Sequence, residues 1–420
     1  MCVRKGVILP VILILITLVG IGAVVFWSTR KTSDKSGTGI NIFNLPSQNG
    51  SSPEVTETKD FPRVSVFAEG LDTPWAIAFL PSFAEASKGE SNGGMLVTER
   101  SGRVRFVSNE GQVKDEPVAD IAEVKELSEG GLHGITLHPN FQSNNYVYVY
   151  YTYGESGGNT LNRVSRFTYN GSQMTDQKVI VDAIPGASNH DGGRIKFGPD
   201  KFLYITTGDA QNPSNAQNKD SLAGKILRVT DNGDPAPGNP FDSAQGKPSG
   251  DPRVYSYGHR NPQGITWDQD GTLWETEHGP SGFETGNDEF NKIEAGNNYG
   301  WSEIRGTQTR SGMVTPIIES GRTDTWAPAG LAYLPARAGE PAQAGVNGKF
   351  YFAGLRGQAL YEVAGNLPNL KEHFKGEYGR LREVILGPDG ILYVTTSNRD
   401  GRGVPKQGDD KILRINPNKL

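Results

Sequence analysis

A single cysteine, Cys2, is all that the 420 residues contain. That excludes an intramolecular disulfide framework, a cysteine-based zinc site and a C-x-x-C-H haem attachment. A strong charge of one sign is also missing, since 42 Lys and Arg against 47 Asp and Glu leave −5. A general nucleic-acid binder is basic, so that class is excluded as well. No P-loop, G-x-G-x-x-G after a strand or H-E-x-x-H occurs, which removes nucleotide cofactors and the H-E-x-x-H metalloproteases as motif-supported readings. Glycine follows no G-x-y period, so the chain is not collagenous.

Turn formers are abundant instead. There are 54 Gly and 26 Pro, 80 of 420 residues or about 19%, against an average near 12%. The chain should therefore be turn-dense and poor in long helices. Hydrophobic residues make up only 35%, yet the length allows a sizeable core. A charged fraction of 21% is ordinary, so most of the chain should be ordered.

The one long apolar run, from Val7 to Trp27, is uncharged and long enough to span a bilayer. Arg4 and Lys5 precede it and favour a cytoplasmic start. Residues 1–27 read as a membrane anchor or a signal segment, and the lack of an A-x-A site before Ser28 favours the anchor. Residues 28–60 are rich in Ser, Thr, Gly, Asn and Pro and read as a flexible stalk. Up to residue 60 the charges are six basic and four acidic, 6 − 4 = +2, so the remainder carries −5 − 2 = −7. An anionic ligand must then be held by a local basic cluster rather than by the overall field. The expected location is membrane-anchored and extracytoplasmic, or secreted if the segment is cleaved. A cysteine-free domain suits that compartment. A monomer is expected.

From residue 61 to 420 one pattern recurs: an apolar strand, a Pro/Asp/Gly turn, a second strand, a polar loop and a third strand. Ile135-Thr136-Leu137, His138-Pro139-Asn140 and Tyr146 to Tyr150 show it, as do Val384 to Leu386, Gly387-Pro388-Asp389-Gly390 and Ile391 to Val394. Six such units of about 60 residues predict an all-β, six-bladed propeller of four-stranded antiparallel blades. A β-helix has much shorter repeats. The excess length belongs in loops, where sites are built. The stretches 82–94, 242–250 and 335–347 read as surface insertions without chemistry.

Four loop motifs carry candidate chemistry. In Asn189-His190-Asp191-Gly192-Gly193-Arg194, glycines allow close backbone approach and His190 can act as a base near neutral pH. A plain turn histidine is the competing reading. In Gly258-His259-Arg260-Asn261-Pro262-Gln263-Gly264 the donors are dense and Arg260 offers a planar fork. A polar bridge between blades competes. Glu277-His278-Gly279-Pro280, Asp288-Glu289 and Asn298-Tyr299 supply hard oxygen ligands that suit Ca²⁺, although acidic loops are usually only solvated. Arg380 and Arg382, spaced to point the same way, could join Arg356 and Arg260 around a polyanionic small ligand. Pairing with Glu383 or Glu362 is the alternative.

Together these loops resemble the soluble aldose sugar dehydrogenases that use pyrroloquinoline quinone, the glucose/sorbosone dehydrogenase family. The resemblance covers about residues 65 to 416. It rests on Gly-Gly-Leu-x-Gly at 130–134, His-Pro-Asn-Phe at 138–141, Gly-Asp at 208–209 and Asn-Tyr-Gly-Trp at 298–301, together with the motifs at 189–194, 258–264, 277–280 and 380–382. It implies a six-bladed propeller that oxidises the anomeric carbon of an aldose to a lactone, with hydride passing to the quinone and an external acceptor taking the electrons. His190 matches the general base, and Arg260 the residue at the quinone carbonyls. Asn261, Gln263, Arg356, Arg380 and Arg382 match cofactor contacts. Main-chain oxygens of Gly279 and Pro280 match ligands of the activating Ca²⁺, and Glu289 and Tyr299 match a second, structural calcium site. Two cofactor-side positions depart from the pattern: Glu129 replaces a neutral residue and Asn189 an aspartate, which leaves Asp191 as the adjacent carboxylate for His190. The rival functions are a propeller lactonase or Ca²⁺ hydrolase, and a cofactor-free glycan- or protein-binding propeller.

Overall fold

The computed structural model describes residues 61–81, 93–155, 157–242, 246–280, 285–336, 348–364 and 369–420. The expected anchor, the stalk and most of the three surface insertions lie outside the described residues. Among the described residues no helix is long and apolar enough to cross a membrane.

Six four-stranded sheets follow one another, with neighbouring strands antiparallel. Blade 1 is Pro74–Phe79, Gly94–Glu99, Arg103–Ser108 and Ala119–Asp120. Blade 2 is Leu132–Leu137, Tyr146–Gly154, Thr160–Tyr169 and Met174–Pro185. Blade 3 is Ile195–Phe197, Leu203–Thr207, Lys225–Val229 and Val254–Tyr257. Blade 4 is Pro262–Trp267, Leu273–Glu277, Glu289–Ile293 and Ile318–Glu319. Blade 5 is Pro328–Pro335, Gly348–Gly354, Leu360–Ala364 and Leu370–His373. Blade 6 takes Leu381–Leu386, Leu392–Thr396 and Ile412–Ile415 from the C-terminal part, but its outer strand, Val64–Ala68, comes from the start of the domain. This strand exchange closes the ring. The first strands of the blades touch in a closed circuit, blade 6 meeting blade 1.

The core is divided among the blade interfaces. Each of six apolar clusters lies between two neighbouring blades. Strand periodicity explains this division, because alternate side chains face opposite sheets. In blade 2, Val147, Val149 and Tyr151 pack toward blade 1 while Tyr148 and Tyr150 pack toward blade 3. In blade 5, Phe350 and Phe352 face blade 4 while Tyr351 and Ala353 face blade 6. Inside the ring, Arg194 of blade 3 donates to Glu383 of the opposite blade 6, both almost fully buried. Lys196 donates to the Leu331 carbonyl of blade 5. Charged side chains thus brace the blades across the ring of inner strands.

Five inner strands begin with a register shift: at Pro74/Ala76, Leu132/Ile135, Pro262/Gly264, Pro328/Leu331 and Leu381/Val384. A bulge re-aims the side chain it displaces. Gln263 and Arg382 both sit in these bulges, and both face the cavity described next.

Candidate functional site

A strand's start and its neighbour's end lie together in an antiparallel pair. The loops before each inner strand and after each second strand therefore gather at one end of the ring. They enclose a cavity of about 460 Å³, within the size range of small-molecule sites. His190, Arg260, Gln263, Arg356, Arg380 and Arg382 all line it, together with Glu129, Asn189, Gly279 and Pro280.

His190 is held in a strained turn. Its φ is 65°, in the left-handed region, a conformation that costs about 1–3 kcal/mol for a non-glycine residue. Close packing enforces the turn: a Cβ on Gly208 would run into the His190 carbonyl, and one on Gly192 would meet the Thr206 carbonyl oxygen at 2.7 Å. Nδ1 of His190 lies 2.8 Å from Oδ1 of Asp209, whose side chain is fully buried. Trp301 donates its indole N–H to the other Asp209 oxygen at 2.7 Å. This pairing orients the imidazole and leaves Nε2 as the nitrogen not engaged by Asp209. The carboxylate serving His190 is thus Asp209, not Asp191. Asp191 is buried in another direction, where it accepts from Asn162 at 3.0 Å and from the Ala187 N–H at 3.1 Å. Burial pushes its carboxyl up to about 6.

The arginines differ in how they are anchored. Arg380 donates to Asp400 at 2.8 Å. Arg382 donates to Oε1 of Gln263 at 2.7 Å, and among the described residues its buried Nε finds no partner. Burial lowers the Arg382 guanidinium to about 9, with Asp400 opposing and Arg380 and Arg100 adding to the effect. Arg260 is 5% exposed and burial pulls it down too, against Asp209, Glu129 and Glu277. Arg356 is exposed at the cavity edge. Glu383 and Glu362, the expected alternative partners, are used elsewhere, by Arg194 and by His373 with Lys349.

Asn261 lies outside the cavity lining. Its Oδ1 accepts the Gly192 N–H at 3.0 Å and ties blade 4 to the His190 turn. The Gly258–Gly264 motif therefore serves both readings, Arg260 and Gln263 facing the cavity while Asn261 bridges blades.

Glu129 and Asn189 meet a residue the sequence reading gave no role, Arg402. One Glu129 oxygen accepts from Arg402 at 2.6 Å and the other accepts the His190 backbone N–H at 3.0 Å. Asn189 Oδ1 accepts from Arg402 at 2.8 Å. Burial opposes ionisation of Glu129, but its charge partners and the His190 N–H outweigh it and hold the carboxyl down at about 2. Burial lowers neighbouring His278 to about 4, so that ring is neutral near pH 7. Arg402 is the cation in direct contact with Glu129, and Arg260 and Arg382 also feel its charge.

Gly279 and Pro280 present a different chemistry. Among the described residues neither carbonyl accepts a hydrogen bond. Asp288 fixes the segment by accepting the Gly279 N–H at 2.8 Å and the Trp326 and Ala327 N–H groups at 2.6 and 2.8 Å. Two such carbonyls beside a cavity suit a hard cation. Glu289 and Tyr299 do not line this cavity. The Tyr299 hydroxyl donates to the Lys292 carbonyl at 2.7 Å and accepts the Glu294 N–H at 2.8 Å, and its ring stacks on His259 at 4.9 Å. Glu289 belongs to a buried acidic group in blade 4 with Glu275 and Glu277, and Asn291 donates to both Glu275 and Glu289 at 3.1 Å. Burial pushes all three upward; Glu277 adds to the effect on Glu275 and Glu289, whereas the Arg260 N–H and Glu289 oppose it at Glu277. Ligand atoms of His259, Glu275 and Glu277 lie within 4.8 Å of one another.

Fold and site together define a propeller with an arginine-lined cavity, a histidine–aspartate pair in its wall and the main-chain carbonyls of Gly279 and Pro280 at its side. The chain belongs to the Glucose / Sorbosone dehydrogenase family, whose profile matches residues 71–413. It is 31% identical to the aldose sugar dehydrogenase YliI of Escherichia coli, over 84% of this chain and 92% of that one. It is 32% identical to quinoprotein glucose dehydrogenase B of Acinetobacter calcoaceticus, over 51% of this chain and 49% of that one. The PQQ-bound aldose sugar dehydrogenase of Streptomyces coelicolor superposes with a TM-score of 0.70 at 38% identity, covering 84% of this chain and 97% of that one.

Proposed function

We propose that the protein is a quinoprotein aldose sugar dehydrogenase that uses pyrroloquinoline quinone and Ca²⁺. The observation that carries this reading is the meeting of the His190–Asp209 pair with Arg260, Arg356, Arg380 and Arg382 around one cavity. A tricarboxylate needs several cations in a protein that is otherwise acidic. The buried Arg382 Nε without a partner is a donor in want of an anion. When bound, the quinone supplies the two-electron acceptor for hydride from the anomeric carbon, which yields a lactone. The protein's own residues do the rest. His190, oriented by Asp209, takes the proton of the anomeric hydroxyl at Nε2. Arg260, in the cavity wall, would stabilise negative charge developing on the quinone's carbonyl oxygens. Arg380 and Arg382, with Arg356 at the rim, hold carboxylates, and Gln263 keeps Arg382 aligned. The carbonyls of Gly279 and Pro280 would ligate the activating Ca²⁺. Glu289 and the neighbouring blade-4 carboxylates would take a second cation. Electrons leave to an external acceptor.

The apolar run Val7–Trp27 behind Arg4 and Lys5 supports an extracytoplasmic domain tethered to a membrane. The functional test is dye reduction by the full chain with Ca²⁺, the quinone and a panel of aldoses. The reading expects turnover that depends on both additions. Lack of any aldose-dependent reduction, with no quinone-induced change in melting temperature, would sink it in favour of a lactonase or a binding propeller.

A further inference from the structure

Arg402 stands on the blade-6 loop between Leu392–Thr396 and Ile412–Ile415, far in sequence from the residues it touches. The loop anchors it at its base: Asp400 accepts the Arg402 backbone N–H at 2.9 Å and the Arg380 Nε at 2.8 Å. Its guanidinium then crosses the ring from blade 6 to the loops ahead of blades 2 and 3, where it donates to Glu129 and Asn189. Glu129 is fastened from the other side as well. Its own N–H donates to the Ser188 carbonyl at 3.0 Å, and its second oxygen receives the His190 N–H.

We propose that Arg402 and Glu129 form a latch across the cavity mouth that fixes the strained His190 turn and masks an anion that would otherwise face the cofactor's carboxylates. The second half of this inference rests on the proposed function; the first does not. Three details carry it. The latch spans parts of the chain 273 positions apart, so it joins the closing blade to the base-bearing loop. A carboxylate beside a polyanion's site is repulsive unless paired, and Arg402 supplies the pair. The His190 turn is left-handed, and Glu129 accepts the N–H at its centre. Arg402 is thus a positioning residue, while the arginines deeper in the cavity are ligand residues. Its side chain is 49% exposed, against 17% for Glu129. The expected effects are therefore moderate.

The test is a double-mutant cycle on the full-length protein with Arg402→Leu, Glu129→Gln and both together. Two readouts are taken: melting temperature without cofactor, and quinone affinity by titration. Arg402→Leu is expected to lower the melting temperature by about 2 °C and to weaken quinone binding about tenfold. Adding Glu129→Gln should bring quinone affinity back to within about threefold of the parent, because the unmasked charge is gone. In aldose turnover, Arg402→Leu should lower kcat more than it raises the sugar KM. Additive effects on melting temperature, or no rescue of binding by Glu129→Gln, would overturn the latch. Coupling in melting temperature with no quinone binding by the parent would overturn the proposed function and leave the latch standing as a strut for the His190 turn.

Discussion

Two groups of buried like charges lie in this protein, and they are managed in opposite ways. The arginines line an open cavity, although Arg260, Arg380 and Arg382 are themselves buried, and Arg382, lowered to about 9 by burial, stays protonated at neutral pH. The carboxylates of blade 4 lie within the sheet, and burial drives Glu275, Glu277 and Glu289 upward, Glu277 also repelling the other two. The difference follows from chemistry. A guanidinium gives up its proton only at great cost, so it calls for an anion: Asp400 serves Arg380, whereas Arg382 donates to the neutral Gln263. A carboxylate can take a proton or a cation and wait. The cavity is therefore suited to an anion, and burial shifts the blade-4 group toward its protonated form.

The largest expected effect tests the cavity's chemistry. His190→Ala should lower kcat about 10²–10⁴-fold while sparing quinone affinity, measured by steady-state kinetics alongside titration. Arg380→Ala with Arg382→Ala should do the reverse, weakening quinone binding about a hundredfold or more with a smaller change in turnover at saturation. Equal loss of binding in both variants would erase the distinction between base and clamp. Asp209→Asn should cost about 10–100-fold in kcat, because it removes the partner that orients His190, and quinone affinity should hold. On the acidic side, chelating divalent cations should lower the melting temperature by several degrees. Glu289→Gln should shrink that shift, as differential scanning calorimetry would record.

The smallest effect concerns Asp191. Its folded value, about 6, is raised from an unfolded value of 3.8. A raised acid favours the folded state when protonated, so its contribution is full below about pH 4 and is lost as pH rises through about 6. Asp191→Asn should flatten the stability profile across that window. An unchanged profile would show that Asp191 titrates no differently folded than unfolded.

The propeller was legible in the sequence because each blade repeats the same strand–turn–strand grammar and strand alternation separates its two apolar faces. The outer strand of blade 6 was not, because Val64–Ala68 precedes the first repeat and its partner, Ile412–Ile415, lies at the other end of the domain. Most of the cavity was legible too, since its residues sit in dense loop motifs. The partner of His190 was misread toward its neighbour Asp191. Adjacency along a chain says little about which way side chains point around a left-handed turn, and Asp209 reaches the imidazole from just past the end of the second strand of blade 3. Its motif, Gly208-Asp209, was visible but had no role. Arg402 carried no signal at all, because its meaning lies in a contact between blade 6 and the loops ahead of blades 2 and 3. The buried state of Glu289 was equally hidden, since a loop-like acidic pair in sequence turned out to begin an interior strand.

The central claim is that the arginine-lined end holds an anionic quinone within reach of His190. The most direct test is to load the protein with pyrroloquinoline quinone and Ca²⁺, add an aldose, and follow the absorbance of the bound quinone. The parent protein should bleach the oxidised cofactor within the time of a turnover, and His190→Ala should bind the quinone but leave it oxidised. A parent protein that binds no quinone, or a His190→Ala variant that reduces it at the parent's rate, would contradict the account.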